Sequence, residues 1–316
     1  MTVLLFSFAK LCAGLALLVG GAEFLTDNCI IIARSLGVSP MIIGLTVVAF
    51  GTSAPEFFVT VMANIRGQAD LAVGNIIGSN IANIGLVLAA AAIIRPFPVH
   101  RRIARVELPF LVMSVILMGL AAWFEVLSRP EAVILLLSFC VYLYFLVENR
   151  TSYSHSGITV EKTYHENPRF MVRSTIIALS FIALISGSHL LIQGAVSIAR
   201  FFNCPELIIG LSLTAVGTSL PELASTISAI RRRESGLVIG NVIGSNFANT
   251  CGVLGIAALI RPIPINHHVL VADFPVMAAL SLVLIPIFKD GYLSRRDGFM
   301  LLFAYLAYIS IIYLKM

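Results

Sequence analysis

Gly51-Thr52-Ser53-Ala54-Pro55-Glu56 returns as Gly217-Thr218-Ser219-Leu220-Pro221-Glu222, an offset of 166 residues (51 to 217). The same offset carries Gly74-Asn75-Ile76-Ile77-Gly78-Ser79-Asn80 onto Gly240-Asn241-Val242-Ile243-Gly244-Ser245-Asn246, and Arg95-Pro96 with Pro98 onto Arg261-Pro262 with Pro264. Upstream, Ala33-Arg34 matches Ala199-Arg200. A constant offset without a gap is an internal duplication, and it covers at least the first three apolar segments of each half.

Those segments belong to a chain of 316 residues, 59% hydrophobic and 12% charged, with a mean hydropathy of +0.97. A soluble domain carries about a quarter charged residues, so this one lacks the means to cover itself for water. The apolar runs are continuous, whereas the strands of a membrane barrel alternate. Segments of about 20 apolar residues span a bilayer as helices. They read at 3–25, 41–65, 71–94, 106–127, 131–148, 174–198, 206–230, 237–260, 269–288 and 298–314. The fold class is therefore an all-α polytopic membrane protein of about ten transmembrane helices. Lys10 interrupts the first run and no small-x-small cleavage pattern stands near Gly20 and Gly21, so that run reads as a retained span. The five cysteines are scattered without a C-x-x-C pair and read as small buried apolar residues.

Five spans separate the first Gly-Thr-Ser segment from its copy. An odd number makes the copies cross the membrane in opposite senses, and inverted repeats are a hallmark of secondary transporters, whose sites lie at the midplane where the repeats meet. Residues 1–149 are read as the first repeat of five helices, 174–316 as the second, and the polar segment 150–173 as their linker. The motif-bearing stretches are 44–98 and 210–264. With the N-terminus outside, the inner segments hold fifteen Lys and Arg, among them Arg101, Arg102, Arg105, Arg231, Arg232 and Arg233, against five in the outer ones. The excess of positive charge predicts both termini outside and the 150–173 loop in the cytoplasm. It marks topology and not a nucleic-acid surface. Glu23 and Asp27 fall at the cytoplasmic end of the first span and read as solvated interfacial charges.

Glu56 and Glu222 lie deep in apolar spans, where a charge costs on the order of 2.5–3.5 kcal/mol and marks a functional residue by default. Pro55 and Pro221 lack an N–H, so the carbonyls of Gly51 and Gly217 lose their helical donors. Thr52 and Ser53 stand four and three residues before Glu56, which brings both hydroxyls near the carboxylate face. Thr218 and Ser219 do the same before Glu222. In the companion span Asn75, Ser79 and Asn83 are spaced by four and share one helical face, as do Asn241, Ser245 and Asn249. Ser79, Asn83, Ser245 and Asn249 read as ion contacts. Asn75 and Asn241 read equally as ligands or as braces between helices, and Gly74, Gly78, Gly240 and Gly244 as points of close helix approach. The donors are all hard oxygen, which suits calcium and sodium. The motif holds no His or Cys, which counts against zinc or copper. Two carboxylates neutralise one calcium ion.

This doubled pattern resembles the two α-repeats of the calcium/cation antiporter superfamily, and within it the prokaryotic sodium/calcium exchangers. The likeness spans nearly the whole chain. It implies a ten-helix fold and antiport of, typically, three sodium ions for one calcium ion, with no cofactor. Carried over, Glu56 and Glu222 with the Thr52 and Thr218 carbonyls would hold calcium. One flanking sodium site would use the Ala49 carbonyl, Thr52, Ser53, Glu56 and Ser79. Its mirror would use the Ala215 carbonyl, Thr218, Ser219, Glu222 and Ser245, with Asn83 and Asn249 lining the middle. Spans one and six would be the sliding gating pair, with Gly20, Gly21 and Gly187 for close packing. Many prokaryotic members carry Asp where this chain has Asn249, so this chain lacks one protonatable group there.

The resemblance implies a bacterial or archaeal cytoplasmic membrane, with sodium, calcium and lipid as the partners and no requirement for an oligomer. A proton-coupled exchanger, or one for potassium or manganese, uses the same donors and stays open. A passive cation channel is the alternative from another class. An enzyme is not expected, since no G-x-S-x-G elbow or H-E-x-x-H motif occurs.

Overall fold

The computed structural model describes residues 2–148, 170–201, 217–267 and 269–314. Ala215, most of the 150–173 linker and the start of the 206–230 span lie outside these residues. The helices are α1 (Thr2–Ser35), α2 (Pro40–Thr52), α3 (Ala54–Ile65), α4 (Ala69–Ile94), α5 (Glu107–Trp123), α6 (Arg129–Glu148), α7 (Phe170–Phe201), α8 (Leu220–Arg231), α9 (Ser235–Ile260), α10 (Val269–Lys289) and α11 (Arg295–Leu314). Among the described residues, seven helices are long and apolar enough to cross a membrane, or eight counting α2 and α3 as one bent span. The two motif-bearing helices form the centre: the most apolar windows of α4 and α9 are 78% and 83% buried, against 22% for α1 and α6. Large apolar side chains such as Phe6, Ile116, Leu137, Ile182 and Phe303 point outward from the peripheral helices, as a lipid-facing surface requires.

The repeat mates α1 and α7 pack antiparallel along their length. A Cβ on Gly14 would sit 2.7 Å from the Gly187 carbonyl, one on Gly194 would sit 2.8 Å from the Ser7 carbonyl, and Arg173 donates to Asn28 Oδ1 at 3.4 Å. These matched helices therefore run in opposite directions. Close backbone approach at small residues is how membrane helices associate without a hydrophobic drive. Gly21 and Gly187 serve this contact as expected, and Gly14 and Gly194 join them. Gly20 does not, for no described residue comes within 4 Å of its Cβ position.

Helix α1 also runs ten residues beyond the expected end at 25. Its polar C-terminal half is satisfied in place: Thr26 and Asn28 donate to the carbonyls of Ala22 and Phe24 at 2.8 Å. Asp27 is therefore a mid-helix acid and not a helix end, and it takes a bidentate bond from Arg232, the Nη2 arm at 2.9 Å. A second pair, Arg34–Glu234 at 3.5 Å, ties the same region to the start of α9. Burial raises the Glu234 carboxyl above its ordinary range and Arg34 draws it back. At the matched positions of the opposite end the arginines recur as Arg66 and Arg200, while Gln193 and Gln68 stand in place of the two acids.

The duplication continues past the first three spans. Strand β1 (Phe97–Pro98) pairs with β4 (Tyr292–Leu293), and β2 (Val126–Leu127) with β3 (Ile263–Pro264), both antiparallel. Strand β2 maps onto β4 at the same 166 offset, so each half lends a strand to the other. The arginines that follow are exchanged likewise: Arg129 donates to the Leu259 carbonyl at 3.2 Å and Arg295 to the Ile93 carbonyl at 3.1 Å. Each satisfies a carbonyl in the last turn of the other half's central helix, groups the helix itself leaves open.

Candidate cation site

Helices α2 and α3 meet at Ser53, whose φ of −79° and ψ of 7° leave the helical region, and their axes bend by 46°. Pro55 causes the break, having no N–H to give to Gly51. Glu56 then falls in the first turn of α3, and Glu222 in the first turn of α8 after Ser219 and Pro221. Further on, Asn83–Leu88 and Ala248–Val253 are wider, π-type turns in α4 and α9. Such turns concentrate at functional sites, and here one opens at Asn83 and the other at Ala248, the residue before Asn249.

The two carboxylates face each other's half. Ser53 donates to Glu222 Oε1 at 3.2 Å. Ser79 donates to Glu56 Oε1 at 3.3 Å, with the Thr218 hydroxyl beside it. Both side chains are wholly buried, and among the described residues no Lys or Arg bonds to either.

Each serine of the companion helices also meets the other half. Ser245 lies against the Ala49 carbonyl, at 3.5 Å, and Ser79 against Thr218 Oγ1, at 3.4 Å. The reason is the crossing of α2 and α9: a Cβ on Gly240 would lie 2.5 Å from the Met41 carbonyl, and one on Gly244 would lie 2.7 Å from that of Leu45. That contact brings the next residue, Ser245, over Ala49. Gly74 and Gly78 meet no described residue within 4 Å.

Asn75 and Asn241 act as braces. Asn75 donates to the Glu56 carbonyl at 3.3 Å and to Thr60 at 3.0 Å, and Asn241 to the Glu222 carbonyl at 3.4 Å, Ser225 at 3.1 Å and Thr226 at 3.0 Å. Two further amides, Asn80 and Asn246, join the site without having been expected there, although both motif copies end on them. Asn83 Nδ2 donates to Asn246 Oδ1 at 3.0 Å and Asn249 Nδ2 to Asn80 Oδ1 at 3.3 Å. Asn64, which has no repeat signal because its mate is Ile230, fixes the end of α9 through the Ala257 and Arg261 carbonyls at 2.7 and 2.8 Å.

Five buried oxygens are left without a hydrogen-bond partner among the described residues: Glu56 Oε2, Glu222 Oε2, Asn83 Oδ1, Asn249 Oδ1 and Ser219 Oγ. Four of them form two symmetry-matched pairs. Buried polar atoms are nearly always bonded, and an exception calls for an explanation. Acceptors without donors, around two carboxylates with no basic partner, are the inverse of a hydrated cation. The oxygens gathered here are carboxylate, amide and hydroxyl oxygens, donor types that hard cations take.

The sodium/calcium exchanger protein family model matches residues 6–148 and 174–314, one match in each half. The chain belongs to that family. It is 36% identical to the inner membrane protein YrbG of Escherichia coli, covering 89% of this chain and 88% of that one. It is 30% identical to the sodium/calcium exchanger MaX1 of Methanosarcina acetivorans, over 97% and 98%. The solved structure of the sodium-calcium exchanger NCX_Mj soaked with sodium and without calcium superposes with a TM-score of 0.84 at 32% identity, covering 97% of this chain and 99% of that one. The crystal soaked with neither ion gives 0.86 at 31%, over 98% and 99%.

Proposed function

We propose that this chain is a secondary active antiporter that exchanges sodium, three ions per cycle, for calcium by alternating access. The observation that supports it most is the matched set of buried oxygens without partners around Glu56 and Glu222. Calcium takes six to eight oxygens in a flexible cage, and a single calcium ion cancels both carboxylates. Sodium ions on the same ligands must act as a group to do so, which makes the two cargoes compete. A site left with two bare charges is expensive to carry across the apolar interior, so the halves exchange faces only when filled. In this reading the calcium ligands are Glu56, Glu222 and the Thr52 and Thr218 carbonyls. One sodium site uses Thr52, Ser53, the Ala49 carbonyl and Ser245. The other uses Thr218, Ser219, Ser79 and the Ala215 carbonyl, with Asn83 and Asn249 between them. Ten spans in two inverted repeats of five, both termini outside and the 150–173 loop in the cytoplasm complete it. The basic end, where Arg34 and Arg232 are paired, is then the inner face.

Proteoliposomes loaded with sodium and diluted into radiolabelled calcium are expected to accumulate calcium, and to stop when the sodium gradient is dissipated. Correctly inserted protein without uptake removes the calcium assignment. Uptake driven equally by a pH gradient in sodium-free medium makes the chain a proton-coupled exchanger. Ser79→Ala removes a hydroxyl beside Glu56 and Thr218, and is expected to weaken the sodium dependence more than the calcium affinity. The reverse pattern in the same flux assay refutes the sodium role of Ser79.

A further inference from the structure

A carboxamide offers an oxygen or an NH2 according to which way it is turned, and only the oxygen serves a cation. Asn83 and Asn249 therefore need something to fix the turn, and nothing on their own helices does it. The fixing group comes from the opposite half in both cases. Asn246 Oδ1 takes the Asn83 amide hydrogen at 3.0 Å, and Asn80 Oδ1 takes that of Asn249 at 3.3 Å. The fixers are themselves fixed. Asn246 Nδ2 donates to the Asn80 carbonyl at 3.2 Å, and Asn80 Nδ2 to Thr250 Oγ1 at 2.8 Å. All four asparagines are buried. The result is that, among the described residues, Asn83 Oδ1 and Asn249 Oδ1 are the two buried amide oxygens without partners.

We infer that Asn80 and Asn246 are positioning residues, which lock the Asn83 and Asn249 amides with oxygen turned toward the transported cation. The inference rests on the exchange reading above. It also gives a reason for the motif to end in Asn in both halves: each fixer serves the ligand of the other repeat, so the two helices must cross here for either amide to be set. Outer partners that orient a ligand are worth about 10–100-fold in metal affinity.

The test uses full-length protein in proteoliposomes, with calcium half-saturation and maximal rate read separately and thermal stability measured alongside. Asn246→Leu leaves the Asn83 amide without its acceptor and is expected to raise half-saturating calcium by about 10–100-fold. Asn83→Asp in that background is expected to restore most of the loss, because a carboxylate presents oxygen whichever way it turns. A residue that merely packs would give the same loss whether position 83 is Asn or Asp, and that result overturns the inference. If Asn246→Leu does not yield folded protein, Asn80→Leu with and without Asn249→Asp makes the same comparison through the mate pair. A parent chain without sodium-dependent calcium uptake defeats the exchange reading itself. An exchanging parent without rescue defeats only the positioning role.

Discussion

Glu56→Gln and Glu222→Gln each abolish calcium exchange while the protein stays folded. The substitution keeps size and one acceptor oxygen, so Ser79 and Ser53 retain a partner within the same distance, 3.3 and 3.2 Å in the parent. What disappears is half of the charge that balances calcium in a place where, among the described residues, no basic side chain takes part. Removing one partner of a buried charged pair costs about 3–5 kcal/mol, which corresponds to about two to three and a half decades in apparent affinity. Each variant also leaves one bare carboxylate instead of two, which a single sodium ion neutralises. Residual sodium–sodium exchange with no calcium uptake is therefore the expected signature. The measurement is radiolabelled calcium and sodium flux in the same vesicles, with thermal unfolding to verify the fold. Normal calcium exchange in either variant means that the two glutamates do not hold the calcium ion between them.

The glutamates are legible in the sequence because a buried acid at matched positions has few structural reasons to exist, and Pro55 and Pro221 mark the helix breaks before them. Which half each hydroxyl serves is not legible there. Spacing along a helix places Thr52 and Ser53 near Glu56, and Ser79 on one face with Asn75 and Asn83, but the pairing of Ser245 with Ala49 depends on how α9 crosses α2, a contact between residues 196 apart in the chain. The same holds for α1. Its run to Ser35 is supported by Arg232, which no local pattern connects to Asp27. Arg129 and Arg295 recur at the repeat offset, yet each reads as an ordinary loop charge, since the carbonyl it satisfies belongs to the other half. Asn80 and Asn246 stand inside the motif, but a fixing role shows only once both amides and both ligands are seen together.

Gly240→Val separates α2 from α9 and prevents the native fold from forming. A Cβ at Gly240 would stand 2.5 Å from the Met41 carbonyl oxygen and 2.8 Å from the Leu45 amide nitrogen. Both atoms are backbone of the neighbouring helix, with no side chain to swing aside. Overpacked cores lose about 1–3 kcal/mol when side chains can adjust; here the helix itself must move, and the loss exceeds that range. The gain in helix propensity on replacing glycine is about 1 kcal/mol at best and falls short of compensation. Gly20→Val supplies the contrast, since no described residue comes within 4 Å of a Cβ there. Yield and melting temperature in detergent are expected to collapse for the first variant and to hold for the second. The α2–α9 crossing also places Ser245 at Ala49 and Asn241 Oδ1 at 3.2 Å from Thr52 Oγ1. Any Gly240 variant that does fold must therefore bind its cations more weakly. A Gly240→Val protein with native melting and native exchange would mean that the two helices do not touch there, and that the oxygens assembled around Glu56 and Glu222 are held by some other contact.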